Sequence, residues 1–303
     1  MIEVRDLTKK FGKTAALENI SCTIGDNSIY GLVGSNGAGK STLMRILAGV
    51  YRADSGVAEI DGQPIWENPQ VKRRIAYISD ELFYVPGSSM KTMGKMYASV
   101  FPGFDNSKYE RLADELGLDM KKSLNTFSKG MRRQSLVILG LAANPDYIYF
   151  DETFDGLDPV VRGFIKRLIV EEMNQRGATA IMTSHSLREL EDTCDQLAFL
   201  HKGGIVLESD IGSLKTSRFK IQIGFTRDFA KEDFAGLNIS SFKKVGSVAD
   251  MIVSGDREET IARLRAMEPA ILDVLPLSLE EVFTYEMNLL GYNFETEEGG
   301  EGR

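Results

Sequence analysis

The sequence has little cysteine and no excess of positive charge. Only two of its 303 residues are cysteines, Cys22 and Cys194, and they lie too far apart to suggest a disulfide framework or a zinc motif. A reducing cytosol fits this usage best. The formal net charge of −8 argues against a domain whose main task is to bind nucleic acid, and no nucleic-acid partner is expected.

Long apolar runs are also missing. The longest apolar stretch without a charge extends from Gln134 to Pro145, well short of the ~20 residues that cross a bilayer as a helix. The first residues include Glu3, Arg5 and Asp6 where a secretory signal would be apolar, so no signal peptide is predicted. These features still allow a chain that works against a membrane from the cytoplasmic side.

The rest of the composition is typical of a folded globular protein. Hydrophobic residues make up 43% and charged residues 26%, and the length suggests about two domains. Strand-like and helix-like segments alternate, which predicts an α/β fold with a mainly parallel sheet. Three β-prone runs, 28–33, 146–150 and 178–183, each end in polar residues. Ligands bind at that edge of an open α/β sheet.

A change of pattern near residue 213 predicts a second, smaller domain. Apolar and polar residues alternate over 219–225, followed by a strand at 251–253, a helix over 257–267 and a strand over 271–277. Ser278 and Glu281 have the spacing of a capping box before a last helix. We therefore expect a first domain over 1–212, a small α+β domain over 213–290, and a disordered acidic tail over 291–303.

Residues 34–41 match the phosphate-loop motif G-x-x-x-x-G-K-[ST] between a predicted strand and a predicted helix. The backbone N–H groups of such a loop converge on phosphate oxygens, and the helix N-terminus favours negative charge. Lys40 is predicted to reach the β- and γ-phosphates of a bound nucleotide, and Ser41 to bind Mg²⁺. The residues of this segment predicted to contact the nucleotide are Ser35, Asn36, Gly37, Ala38, Gly39, Lys40, Ser41 and Thr42.

Two carboxylates follow the strand that ends at Phe150. Asp151 is predicted to hold the magnesium ion through its water shell, and Glu152 to orient and deprotonate the attacking water. An acidic pair in a solvated loop is the alternative. The phosphate loop elsewhere in the chain favours the catalytic interpretation.

Three more segments distinguish among phosphate-loop proteins. They are Phe127-Ser128-Lys129-Gly130-Met131, Gly156-Leu157-Asp158-Pro159 and Thr183-Ser184-His185. With these motifs in this order, residues 1–212 resemble the nucleotide-binding subunit of an ATP-binding cassette (ABC) transporter. The resemblance implies a P-loop ATPase core with a helical subdomain at about 81–145.

The resemblance also implies roles for particular residues. Phe11 is similar to the aromatic residue on which adenine stacks, and His185 to the histidine that contacts the γ-phosphate. Two subunits would bind head to tail, as a homodimer or a heterodimer. Ser128, Lys129 and Gly130 of one subunit would then contact ATP held by the other, with Asp158 at the interface. A membrane permease at the cytoplasmic face of the cell membrane is the implied partner.

Some residues depart from the family pattern. Asp80 stands where the family usually has a glutamine that touches magnesium, so it is either a metal ligand or an exposed loop carboxylate. Lys129 replaces a glycine, and either adds charge near the phosphate or is simply solvated. Met90, Met93 and Met96 have helical spacing, which favours a core role over a contact surface.

The end of the chain, Ser278-Leu279-Glu280-Glu281-Val282-Phe283, is similar to that of ATPases that drive exporters with separately encoded membrane subunits. The resemblance implies export of a peptide, antibiotic, drug or lipid. The alternative is a soluble ABC ATPase that acts on a macromolecular complex. A single cassette and the short spacing between Lys40 and Ser128 disfavour it.

Overall fold

The computed structural model describes residues 1–216, 218–275 and 277–289. The chain divides into two compact units, the first over Met1–Ser209 and the second from Asp210 onward. None of the helices in the described ranges is both long enough and apolar enough to cross a membrane. The acidic tail predicted for 291–303 lies outside the described residues.

The first unit alternates strands and helices along the chain. Its strands are β1 (Ile2–Phe11), β2 (Thr14–Ile24), β3 (Ile29–Val33), β4 (Ser55–Ile60), β5 (Gln63–Pro64), β6 (Ile75–Ile78), β7 (Tyr147–Phe150), β8 (Thr179–Ser184), β9 (Gln196–His201) and β10 (Gly204–Asp210). Its helices are α1 (Lys40–Leu47), α2 (Pro69–Lys72), α3 (Met90–Val100), α4 (Asn106–Glu115), α5 (Lys129–Ala142), α6 (Pro159–Arg176) and α7 (Leu187–Glu191).

A six-stranded sheet with the order β10-β9-β3-β8-β7-β6 forms the centre of the first unit. The strands from β9 to β6 in this order pair in parallel. All residues of β3, β7 and β8 are buried, as expected for strands with both faces covered. The register pairs Val33 with Ser184 and Ile78 with Phe150, so these strands end at a common edge. The α/β core predicted from the sequence is confirmed.

A second sheet in this unit was not predicted. It is antiparallel, with the order β2-β1-β4-β5. Buried residues recur along β2, while many of their neighbours are exposed, so one face of this strand packs on the core. In the first 212 residues the strand prediction rests on continuous apolar runs alone, so it does not include these half-buried strands.

The segment between β6 and β7 contains three of the helices. Most side chains of α5 are buried, and this helix contacts α3, α4 and β6. Within α3, Met90 and Met93 are buried, whereas Met96 is 40% exposed. The core interpretation of the methionine spacing is therefore right for two of the three residues.

The second unit contains an antiparallel sheet with the order β12-β13-β11-β14. Its elements are α8 (Ile211–Thr216), β11 (Arg218–Gly224), β12 (Asn238–Val245), β13 (Val248–Ser254), α9 (Arg257–Arg265), β14 (Ile271–Leu275) and α10 (Leu279–Leu289). Strand β12 was not predicted, because this edge strand has no buried residue and carries Lys243 and Lys244. The capping box is confirmed: the Ser278 N–H donates to Glu281, and the Glu281 N–H donates to the Ser278 hydroxyl.

Both cysteines are buried free thiols, in keeping with the tendency of free cysteine to behave as a small apolar residue. Burial raises the pKa of Cys22 to about 12 and also raises the pKa of Cys194. A thiol in this state is a poor nucleophile, because the reactive form is the thiolate.

Ile148 in β7 has no exposed surface, so Ile148→Ala should leave a cavity beneath the parallel sheet. We expect a loss of about 2–5 kcal/mol in the free energy of unfolding, measured by urea denaturation. Val160→Ala is the control, since Val160 is 81% exposed and its truncation should change stability by less than about 0.5 kcal/mol. Equal losses in the two variants would contradict the placement of β7 in the core.

Candidate active site

The phosphate loop, residues 34–41, connects β3 to α1 and lies tightly against its neighbours. Gly39 has φ 110°, and a Cβ there would lie 2.5 Å from the carbonyl oxygen of Ala16. A Cβ at Gly34 would lie 2.3 Å from the carbonyl oxygen of Leu200. Neither position has room for a side chain, so the fold of this loop depends on glycine.

Lys40 is the first residue of α1 and is only 4% exposed. Its ammonium group donates to the carbonyl oxygens of Gly34 at 2.7 Å and Ser35 at 3.2 Å. The first turn of α1 carries no acidic residue, so the lysine and the helix N-terminus both favour an anion. The other predicted ATP contacts on this loop and the helical turn after it are Ser35, Asn36, Gly37, Ala38, Ser41 and Thr42.

Asp151 follows β7 and is completely buried. Its Oδ1 accepts hydrogen bonds from the hydroxyls of Ser41 at 3.1 Å and Thr183 at 2.7 Å, and its Oδ2 accepts one from Tyr77 at 2.9 Å. Burial raises the pKa of Tyr77, so the phenol stays protonated as a donor. The structure thus brings Ser41 and Asp151 together, as the magnesium prediction requires. Their hydroxyl and carboxylate oxygens are the ligand types that Mg²⁺ prefers.

Asp80 lies in the loop that follows β6. Its carboxylate accepts hydrogen bonds from Arg45 at 3.0 Å and from the Ser79 hydroxyl at 3.0 Å. Among the described residues, no hydrogen bond joins Asp80 to Ser41 or Asp151. A role for Asp80 at the metal therefore stays a prediction.

Glu152 has an unusual backbone conformation. Its φ of 45° lies in the left-handed region, which a non-glycine residue adopts at a cost of ~1–3 kcal/mol and which is common at functional sites. Its N–H donates to the Thr183 hydroxyl at 2.9 Å, and its carbonyl oxygen accepts from Arg133 of α5. The Glu152 carboxylate lies 3.4 Å from the Lys40 ammonium. The predicted base and the predicted phosphate-binding lysine are therefore direct neighbours.

His185 follows β8 and lies near the carboxylates of Glu152 and Asp155. Its Nδ1 lies 4.0 Å from Asp155 Oδ1, and the side chain is half exposed. One ligand atom from each of Glu152, Asp155 and His185 falls within 4.8 Å of the other two. Sequence reasoning did not single out Asp155, although it lies only three residues after Glu152.

The residues predicted to act across a subunit interface lie at the starts of α5 and α6. Ser128 caps α5, accepting a hydrogen bond from the Met131 N–H, and Lys129 is exposed at the first position of that helix. Asp158 caps α6, accepting from Val160 and Val161. No described hydrogen bond links Ser128, Lys129 or Asp158 to the phosphate loop.

Gly130 brings the two capped helix starts close together. A Cβ at Gly130 would lie 3.3 Å from the carbonyl oxygen of Gly156, so the segment at 128–130 packs against the segment at 156–159. Both segments present exposed residues to solvent.

Phe11 ends β1 and is 48% exposed. Its ring packs edge-on against Tyr51 with centroids 5.5 Å apart, and the Lys9 ammonium lies 5.5 Å from the Phe11 centroid. This arrangement is compatible with an aromatic ring that stacks on a base, which remains a prediction.

Sequence reasoning did not identify three groups that shape this site. Tyr77 and Thr183 bind Asp151, and Arg133 binds the Glu152 backbone. A signal for Thr183 was available, because it is the penultimate residue of the strand next to the one that precedes Asp151. The sequence gives no comparable signal for Tyr77, which lies in an apolar segment, or for Arg133, which lies in a basic one.

Comparison with known proteins extends these observations. The family model described as "ABC transporter" matches residues 17–155. The ABC transporter ATP-binding protein YtrB of Bacillus subtilis is 31% identical over 283 residues, which cover 93% of this chain and 97% of that protein. A fluoroquinolones export ATP-binding protein of Mycobacterium tuberculosis is 32% identical, with 82% of this chain and 83% of that protein covered.

Solved structures agree with the sequence comparison. An ATP-binding subunit of an ABC transporter superposes with a TM-score of 0.65 and 25% identity, covering 71% of this chain and 92% of that structure. This agreement confirms the ABC ATPase core expected from the motifs. The chain therefore belongs to the ATP-binding, ATP-hydrolysing subunits of the ABC transporter family.

Proposed function

We propose that this chain binds ATP with Mg²⁺ and powers the export of a peptide, antibiotic, drug or lipid through a separate membrane subunit. The observation that carries the proposal is the meeting of Lys40, Ser41, Asp151 and Glu152 at one edge of the parallel sheet. Export as the direction of transport is supported by the relative named for fluoroquinolone export, which matches 82% of the chain.

ATP binding rests on the loop and on Lys40. The ammonium group lies within the loop, close to where the backbone N–H groups and the start of α1 favour phosphate oxygens. Phosphate oxygens would replace the carbonyl oxygens and the Glu152 carboxylate as partners of Lys40. Phe11 would stack on the adenine through its exposed face.

Magnesium would be held by Ser41 and Asp151, with Asp80 as a third predicted ligand. The bound ion would neutralise charge on the phosphates. Ser41 and Asp151 are already in contact, so they need little rearrangement. Asp80 is paired with Arg45, and a role at the metal requires it to leave that ion pair.

Glu152 would act as the general base of hydrolysis. Its carboxylate accepts a proton from the attacking water, the oxygen of that water bonds to the γ-phosphorus, and the bond to the ADP oxygen breaks. His185 would contact the γ-phosphate and help to position the water. The exposed edge of the imidazole near Asp155 and Glu152 supports this role.

Two subunits would close on ATP and open after hydrolysis. Ser128, Lys129 and Gly130 of one subunit would contact ATP bound to the other, with Asp158 at the interface. Support for contacts made between subunits comes from the exposure of Ser128, Lys129 and Asp158 and from the absence of a described hydrogen bond between them and the phosphate loop. Loss of the γ-phosphate would remove a contact that joins the subunits.

The membrane permease would supply the path for the cargo. The chain would then be held at the cytoplasmic face of the membrane through that permease. Two apolar side chains in the segment between Asp80 and α5 are exposed, Phe83 at 71% and Val100 at 51%, and would be available for contact with the permease.

Glu152→Gln tests the assignment of the base. The amide cannot accept the proton, so we expect phosphate release to fall by about 10²–10⁴-fold. ATP should still bind, and an ATP-bound dimer should accumulate in size-exclusion chromatography. Glu115→Gln is the control, since Glu115 pairs with Arg111 on α4, away from the site. Near-normal turnover in Glu152→Gln would assign the base to another group.

Asp151→Asn tests the metal assignment. Loss of the charge should raise the Mg²⁺ concentration needed for half-maximal ATPase activity by about 10–100-fold, by analogy with other weakened metal sites. Asp146→Asn is the matched control, because Asp146 precedes the same strand and pairs with Arg74. An unchanged Mg²⁺ requirement in Asp151→Asn would contradict the proposed site.

Purification of a tagged chain from membranes of its native host tests the transporter role. We expect a multispanning protein to copurify in stoichiometric amount, identified by mass spectrometry. The untagged strain is the control for adventitious binding. Recovery of the chain with ribosomes, or solely in the soluble fraction, would favour the alternative of a non-transport ABC ATPase.

A further inference from the structure

We propose that Arg133 is a positioning residue for ATP hydrolysis, which fixes the backbone of Glu152 and ties it to the Asp80 loop. This inference rests on the proposed role of Glu152 as the base. Nothing in the sequence motif itself assigns a function to Arg133, which lies five residues after Ser128 on α5.

The guanidinium group bridges two loops that leave neighbouring strands. Its Nη1 donates to the carbonyl oxygen of Glu152, and its Nη2 donates to the carbonyl oxygen of Asp80 at 3.0 Å. These loops follow β7 and β6, which pair directly in the parallel sheet. A single side chain from α5 therefore connects the start of both loops.

Glu152 needs such support because its backbone is in the left-handed region. Side chains from outside the loop bind both polar groups of the Glu152 backbone: the N–H donates to Thr183, and the carbonyl oxygen accepts from Arg133. The same carbonyl oxygen also accepts a longer hydrogen bond from the Asp155 N–H at 3.3 Å, within the loop. With both groups held, the peptide planes on either side of Glu152 are fixed, and with them the direction of the Cα–Cβ bond from which its carboxylate extends. A strained conformation persists when surrounding contacts determine it in this way.

The environment of Arg133 also points to a specific role. The side chain is 3% exposed, and its Nε has no hydrogen-bond partner among the described residues. A buried cation with an unsatisfied donor is costly, so burial here does not serve stability by itself. Arg133 binds backbone oxygens at the edge of the parallel sheet where the proposed catalytic residues lie. Its planar guanidinium group can donate to two separate acceptors at once, which suits this geometry better than the single ammonium group of lysine.

The test compares Arg133→Gln and Arg133→Lys with Arg176→Gln. Arg176 is a close structural match: it is partly buried, has a buried nitrogen without a described partner, and donates to the carbonyl oxygen of Pro145 at 2.7 Å. Pro145 precedes β7, so this arginine acts at the opposite end of the same strand. Each rate is divided by the fraction of protein that binds nucleotide, which removes any effect of misfolded material.

We expect Arg133→Gln to lower kcat at least tenfold with less than a twofold change in nucleotide Kd. Arg133→Lys should restore part of the loss, because one carbonyl can still be bound. Arg176→Gln should keep kcat within twofold even if its melting temperature falls as far as that of Arg133→Gln. Equal losses of kcat in Arg133→Gln and Arg176→Gln, or a parallel loss of nucleotide affinity, would overturn the proposal.

A double-mutant cycle separates this inference from the role of Glu152. In single-turnover measurements, Arg133→Gln should slow hydrolysis in the wild-type background and add little in the Glu152→Gln background. Additive effects would show that Arg133 acts independently of Glu152 and would overturn the inference. Full activity of Glu152→Gln by itself would instead contradict the proposed base.

Discussion

The buried carboxylate of Asp151 is the contact on which the rest of the site depends. It accepts hydrogen bonds from side chains on α1, β6 and β8, so a single group after β7 holds three other elements. A carboxylate without exposed surface must have such partners, because an unpaired buried charge is very unfavourable. The same hydrogen bonds that satisfy Asp151 place Ser41 beside it and bring Thr183 under the backbone of Glu152. The contacts that satisfy Asp151 at the sheet edge are therefore the same contacts that assemble the site.

Much of this edge could be predicted from the sequence. Parallel strands appear in the sequence as continuous apolar runs, and the polar residues that follow them must meet at one edge of the sheet. The sequence alone therefore predicts that Lys40, Asp151 and His185 lie at that edge. Strand β12 could not be predicted in this way, because an exposed edge strand with lysines lacks an apolar pattern. The contacts of Arg133 could not be predicted for another reason. They are made to backbone oxygens, which every residue has, so no residue type in the sequence indicates them.

Charge at the site is balanced locally rather than by the chain as a whole. Lys40 lies within reach of Glu152, Arg45 pairs with Asp80, and the guanidinium of Arg133 is buried among backbone oxygens near four carboxylates. The overall charge of −8 therefore says little about the potential that a nucleotide meets. Local compensation of this kind lets an acidic protein bind a polyanion.

The two buried thiols have a practical consequence for studying motion in this protein. Cys22 and Cys194 are buried and have raised pKa values, so they should react slowly with maleimide or nitroxide reagents at neutral pH. A spectroscopic reporter can thus be attached to a cysteine introduced at an exposed position, such as Val160, while the native thiols stay in place. Distances between subunits during turnover then become measurable without first redesigning the core.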